Sequence, residues 1–281
     1  MWANEDGRTV GQSELARRIV SAIALIAAAL ALTYWGTVPF LVLVLIGVTA
    51  MCWEWGHLVR TADWDAVLVV HVLAVWIACG LTAVNAPALG AVALLIGAVI
   101  VGFLRFSRAS FASWSGVLYV GLPAIVLIWL RTSEAWGFAA VLLILIVVWS
   151  CDTAAYAAGR TFGGPKLWPR VSPNKTWSGF VGGVVAAGIA GSLFAQFVDG
   201  ASAVRLALIG LALGSVSQLG DLGESALKRA FNVKDSSGLI PGHGGFLDRL
   251  DGLVTAALMA ALIVLANDLS QPARGLLFGQ P

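Results

Sequence analysis

The sequence predicts an all-α polytopic membrane protein of about nine transmembrane helices, with a cytoplasmic N-terminus and a polar cavity on the cytoplasmic side. Three observations lead there. Of 281 residues, 59% are hydrophobic and only 11% charged, with a mean hydropathy of +0.89, whereas a soluble domain carries about 25% charged residues. The apolar residues gather into runs near the ~20 residues that a helix needs to cross a bilayer. The basic residues fall very unevenly between the two sets of loops that these runs define.

The runs cover residues 19–36, 37–55, 66–84, 86–104, 114–130, 135–158, 179–198, 201–219 and 252–267. The fifth and ninth are the shortest. "NAP" at 85–87 and "DGAS" at 199–202 are tight turns between neighbours. The seventh is rich in small residues ("GGVVAAGIAG", 182–191), which lets helices approach closely in a membrane. With nine spans, fourteen of the 17 Lys and Arg residues lie on one side, and only Arg131, Arg205 and Arg274 on the other. The positive-inside rule then places the N-terminus and the basic loops in the cytoplasm. The N-terminal segment "MWANEDGRTVGQSELARR" carries acids and no cleavage pattern, so it does not read as a removable signal peptide.

Composition also excludes. A net charge of +2 is too small to argue for a nucleic-acid partner. Cys52, Cys79 and Cys151 form no Cys-x-x-Cys pair and read as small apolar filler. There is no G-x-x-x-x-G-K-[ST] phosphate loop, no G-x-S-x-G elbow and no H-E-x-x-H.

The chain divides into two regions. Residues 1–150 hold few polar groups within their spans and read as a lipid-side scaffold. Residues 151–281 read as the catalytic transmembrane region, and 151–252 hold almost everything capable of chemistry, in three polar clusters. In the first, "WSCDTAAYAAGRTFGG" (149–164), Asp152, Tyr156 and Arg160 lie at about 0°, 40° and 80° around one helix. An acid inside a span is a functional candidate, because its burial costs several kcal/mol unless it is paired or wet; the alternative is a helix-to-helix ion pair. In the second, "PRVSPNKTWSG" (169–179), a loop enters a helix that Ser172 or Asn174 can cap. The helix N-terminus, Lys175 and Thr176 make an anion site there, unless Lys175 is simply a loop cation near headgroups.

The third cluster spans 217–252, and its 220–251 stretch holds nine charged residues in 32 positions. Gln218, Asp221, Ser225, Lys228 and Arg229 share a helical arc of about 100°, which suits a cavity wall. A solvated helix end with Glu224–Lys228 pairing is the alternative. Then comes "GLIPGHGGFLDRLDG" (238–252). Its glycines allow close approach to a ligand. Asp248 and Asp251, at the start of the ninth span, either cap that helix or, with Asp221, hold a hard divalent cation such as Mg²⁺.

These motifs resemble those of the phosphatidate cytidylyltransferases, also called CDP-diacylglycerol synthases. The matching residues are Ser225, Lys228, Arg229, Lys234, Asp235, Pro241, His243, Gly244, Gly245, Asp248, Arg249 and Asp251, at matching spacing, with "CDTAAYAAGR" and "SPNKTWSG" upstream in the right order. Ser178 departs from the family's usual Glu. The resemblance implies cytidylyl transfer from CTP to phosphatidic acid, giving CDP-diacylglycerol and pyrophosphate at the cytoplasmic face of a bacterial inner membrane. It implies catalytic roles for Asp221, Lys228, Arg229 and Asp248. It implies substrate contacts from Asp152, Arg160, Ser172, Asn174, Lys175, Thr176, Ser225, Lys234, His243, Gly244, Gly245 and Arg249. Mg²⁺ on Asp221, Asp248 and Asp251, with room for a second cation, and a homodimer embedded in the bilayer complete the expectation. A CDP-alcohol phosphotransferase is disfavoured, because its D-G-x-x-A-R pattern is absent. A cation- or proton-coupled transporter remains the rival of a different class, since Asp152, Gln218 and Asp221 suit an ion path.

Overall fold

The computed structural model describes residues 26–61, 64–104, 110–133, 135–239 and 244–279. In chain order the helices are α1 (Ile26–Trp35), α2 (Thr37–Arg60), α3 (Ala66–Ala83), α4 (Pro87–Leu104), α5 (Ser110–Arg131), α6 (Gly137–Phe162), α7 (Trp177–Phe194), α8 (Ala203–Ala230), α9 (Leu247–Leu265) and α10 (Pro272–Leu277). Between α6 and α7 lies a hairpin of two short strands, β1 (Lys166–Trp168) and β2 (Ser172–Thr176).

Seven of these helices, α2 to α8, are long and apolar enough to cross a membrane, rather than nine. Of the first expected span only Ile26–Trp35 is described as helix. The ninth expected span is present as the 19-residue α9, but the helix begins five residues early and takes Asp248, Arg249 and Asp251 into its first turns. Its polar start is what separates it from the other seven. α8 likewise runs on past residue 219 to Ala230 as one helix of 28 residues, so the polar arc of the third cluster sits on a continuous helix face.

Turn chemistry explains several boundaries. Asp65 caps α3 by accepting from the Leu68 N–H at 2.7 Å, and holds the end of α2 through Arg60 Nε at 3.0 Å. α6 stops at Gly163, whose φ of 59° belongs to the left-handed region and whose N–H returns to the Gly159 carbonyl. Ser202 caps α8 through the Arg205 N–H.

The helices pack as two neighbouring groups. In one, α2, α3, α4 and α5 bury Trp55, Leu94, Ile128 and Leu130, and Trp55 Nε1 donates to the Ala112 carbonyl at 2.7 Å. In the other, α6 packs along α7, α7 on α8 and α8 on α9. Small residues set that spacing. A Cβ at Gly183 on α7 would lie 2.6 Å from Gln218 Nε2 and 2.8 Å from the Cys151 carbonyl, so only glycine lets α7 come so close to α6 and α8. The groups meet where α5 touches α6 and α9, and where α2 reaches α9.

The bundle has two chemically different ends. Arg205, near the start of α8, donates to the Gly275 and Leu276 carbonyls of α10, and Arg131 donates to the Thr33 and Tyr34 carbonyls at the end of α1. At 1.5 Å per residue, Arg205 and Lys228 stand about 34 Å apart along α8. The motif residues gather at the Lys228 end.

Candidate active site

The hairpin is the first surprise of the site. Sequence 169–176 was expected to form a loop whose Ser172 or Asn174 caps the next helix. Instead β2 pairs antiparallel with β1, with Lys166 opposite Thr176 and Trp168 opposite Ser172. Pro173 has no N–H to give a helix, and its fixed φ suits an extended edge strand. The cap of α7 is Thr176, buried, whose hydroxyl accepts from the Gly179 N–H at 3.1 Å. Thr176 therefore serves the backbone rather than facing the cavity. Ser178, the position that departs from the family, donates to the Gly163 carbonyl at the end of α6 and lies 3.0 Å from the Thr176 hydroxyl. It ties both ends of the hairpin together.

β2 delivers its polar side chains to the polar end of α8. A cavity of about 330 Å³ lies between them, lined by Ser172 and Asn174 of β2, Ser225, Lys228 and Arg229 of α8, and Lys234 of the following loop. Three cations face it against one acid, Asp235. Two clusters about 50 residues apart in sequence thus become one basic pocket, an arrangement that concentrates anions.

Beside the cavity lies a chain of charges. Lys175 Nζ is 2.5 Å from Asp221 Oδ2. The Asp251 carboxyl of α9 lies close beside that of Asp221. Asp152, open on α6, feels the charges of Asp221 and Lys175. Lys228 Nζ sits 2.5 Å from Asp248 Oδ1 and 3.3 Å from Glu224 Oε1, with all three side chains nearly out of solvent. The Glu224–Lys228 pairing is therefore a buried contact, not a solvated helix end.

The expected clamp of Asp221, Asp248 and Asp251 does not assemble as one unit. Among the described residues no group of three acidic, His or Cys side chains is placed to hold a metal. The reason is the environment of Asp248. Its Oδ1 accepts from Lys228, and its Oδ2 accepts from the Ser236 N–H and hydroxyl, each at 3.0 Å, and from the Gly245 N–H at 2.9 Å. A lysine ammonium in contact opposes a dication at the same oxygen. Asp221 and Asp251 are the carboxylates that do face one another. Two carboxyl groups so close repel unless a proton or a cation lies between them, so this pair fits a hard cation, for which Asp/Glu oxygens are the usual protein ligands.

Other expected residues fall elsewhere. Arg160 donates to the Tyr156 hydroxyl at 2.7 Å on the exposed face of α6, as the helical spacing implied, and does not line the cavity. Gln218 ties α8 to its neighbours, donating to Cys151 Sγ at 3.3 Å and the Phe180 carbonyl at 3.0 Å, so it belongs to packing rather than to the cavity wall. Gly244, with a φ of 80°, brings the chain past Asp248. Arg249 is exposed on the first turn of α9. His243 lies outside the described residues.

One residue escaped the sequence reading altogether. Glu54, in the apolar run of α2, is completely buried and accepts three hydrogen bonds, from the Ser237 hydroxyl at 2.6 Å, the Leu247 N–H at 2.7 Å and the Phe246 N–H at 2.8 Å, while the Ser236 hydroxyl, 3.2 Å away, shares its one proton between Glu54 and Asp248. The rule that raised Asp152, that an acid within an apolar span is a functional candidate, applies equally to Glu54.

A bundle of membrane-length apolar helices with a basic pocket and an acid pair at one end suits the binding of phosphates. Residues 16–266 match the Cytidylyltransferase family, and the chain belongs to that family. It is 40% identical to the phosphatidate cytidylyltransferase of Brucella suis biovar 1 over 260 residues, covering 89% of this chain and 93% of that protein. The enzyme of the same name from Bacillus subtilis is 41% identical over 151 residues, 53% of this chain and 55% of its own length. That from Haemophilus influenzae is 44% identical over 125 residues, 43% of each chain.

Proposed function

We propose that this chain transfers the cytidylyl group of CTP to phosphatidic acid, releasing pyrophosphate and forming CDP-diacylglycerol for phospholipid synthesis. A phosphate oxygen of the lipid attacks the α-phosphorus of CTP, and the bond between the α-phosphorus and the bridging oxygen breaks. Phosphomonoesters lose their second proton near pH 6, so the nucleophile is already ionised at neutral pH and needs no strong base. The difficulty is charge, because two anions must meet and a third must leave. The observation that carries the reading is the single basic cavity built from β2, the end of α8 and Lys234.

In this reading Lys228, Arg229 and Lys234 receive the phosphates, and Ser172, Asn174 and Ser225 orient them by hydrogen bonds. Asp248 and Glu224 hold the Lys228 ammonium toward the cavity. Asp221 and Asp251 hold Mg²⁺, which supplies a Lewis acid for phosphate oxygens when bound; Lys175 and Asp152 tune the charge of that pair. Asp248, expected as a metal ligand, acts here as the anchor of Lys228.

The pocket faces the cytoplasm of a bacterial inner membrane, and the chain crosses that membrane with its N-terminus inside. The support is the fourteen-to-three division of basic residues, which requires the first and ninth apolar runs to cross along with α2 to α8, and the placement of Arg131 and Arg205 at the end of the bundle away from Lys228. A homodimer is carried over from the family resemblance, and light scattering of the detergent-solubilised protein tests it. No observation favours the transporter.

Purified protein incubated with CTP, Mg²⁺ and micellar phosphatidic acid should release one pyrophosphate per lipid converted. Omission of phosphatidic acid should abolish release. Pyrophosphate formation independent of the lipid would overturn the assignment of the acceptor.

A further inference from the structure

Near the site the two helical groups are bridged by the buried side chain of Glu54. The α9 helix opens at Leu247 with no local side-chain cap, so its first N–H groups need partners from elsewhere. Glu54 supplies them from 192 and 193 positions earlier in the chain, accepting from Phe246 and Leu247. The same carboxylate accepts from the Ser237 hydroxyl and lies 3.2 Å from the Ser236 hydroxyl, whose one proton it shares with Asp248. It thereby holds both flanks of the segment between α8 and α9. Gly245 is part of this fit, since a Cβ there would lie 2.6 Å from Glu54 Oε1.

Ser236 connects this anchor to the chemistry. Its hydroxyl lies 3.2 Å from Glu54 Oε2 and 3.0 Å from Asp248 Oδ2, and its N–H donates to the same Asp248 oxygen. Asp248 in turn grips Lys228, which lines the cavity. The contacts form one chain: Glu54, Ser236, Asp248, Lys228.

We propose that Glu54 is a positioning residue for the transfer reaction, seating Ser236 and the first turn of α9 so that Asp248 aims the Lys228 ammonium at the substrate phosphates. The inference rests on the cytidylyl-transfer reading above. It assigns the 1–150 region a part in catalysis that a lipid-side scaffold would not have. Glu54 touches no substrate; it acts by fixing geometry, and a displacement of about 1 Å at a catalytic group can cost about 10²-fold in rate.

The test uses the full-length protein in detergent, with Glu54→Gln, Ser236→Ala and the double variant, and rates measured at saturating and limiting phosphatidic acid with CTP saturating. Glutamine keeps the size but turns an amide NH₂ toward donors. E54Q should lower kcat about 30- to 100-fold, with KM for phosphatidic acid within twofold and thermal unfolding still cooperative. If Glu54 acts through Ser236, the double variant should be no slower than E54Q alone. Wild-type kcat in E54Q, or losses that multiply in the double variant, would overturn the proposal. Should E54Q fail to fold, S236A decides alone: a lowered kcat at an unchanged melting temperature supports it, and a wild-type kcat overturns it. An inactive wild-type protein would instead count against the transfer reading itself.

Discussion

Helices α2–α5 and α6–α9 are similarly long, yet they are built differently. Both groups bury large side chains, Phe40, Trp55, Leu94 and Ile128 in the first and Leu143, Leu206 and Leu213 in the second, but α7 buries mainly Gly179, Gly183, Ala187, Gly188 and Gly191. Large side chains hold helix axes apart and leave an apolar interior. Small ones bring backbones together, so short polar side chains reach across. Gln218 reaches two neighbouring helices in this way. The lesson is that α7 packs close enough for a single polar side chain of α8 to tie three helices together, and that α2–α5 contribute to the site through Glu54, the one acid buried there among the described residues.

The largest effect should come from the acid pair of the second group. Asp221→Asn should cost about 10²–10³-fold in kcat, with little change in thermal stability, because Asp221 is partly open and balanced by Lys175. An active D221N would remove the proposed cation from that pair. A sharper comparison makes one chemical change in each group. Gly183→Ala should destabilise by about 1–3 kcal/mol through overpacking, whereas Gly47→Ala on α2 meets open space and should be neutral or stabilising by about 0.5–1 kcal/mol. Thermal unfolding in one detergent reads both. Equal effects would mean that α7 is not packed against its neighbours as tightly as described. Thr176→Val should be smaller, about 1 kcal/mol from loss of the α7 cap, with a modest rise in KM for CTP as β2 loosens. A wild-type melting temperature in T176V would argue against the cap.

Much of this was legible in the sequence. Apolar runs placed α2 to α8 within a few residues at most boundaries, because the bilayer length acts on each run separately. The α8 extension to Ala230 was implicit in the shared helical face of Asp221, Ser225 and Lys228. What the sequence did not show depends on tertiary contact. The β1–β2 hairpin is too short to produce a strand pattern and is fixed by its attachment to α6 and α7. The separation of Asp248 from Asp251 was hidden because i,i+3 spacing gives a common face but not a common partner. Lys228 and Ser236 claim Asp248, while Asp221 meets Asp251. Glu54 was hidden by distance along the chain, although an acid between Trp53 and Trp55 in an apolar run was a signal.

The central claim is that the lipid phosphate attacks the α-phosphorus of CTP. It is tested most directly by following two preparations of CTP, labelled on the α- or the γ-phosphate, with purified protein, Mg²⁺ and phosphatidic acid. The account predicts α-label in the lipid and γ-label only in pyrophosphate. The γ-label appearing in lipid, or no label entering lipid at all, would contradict it.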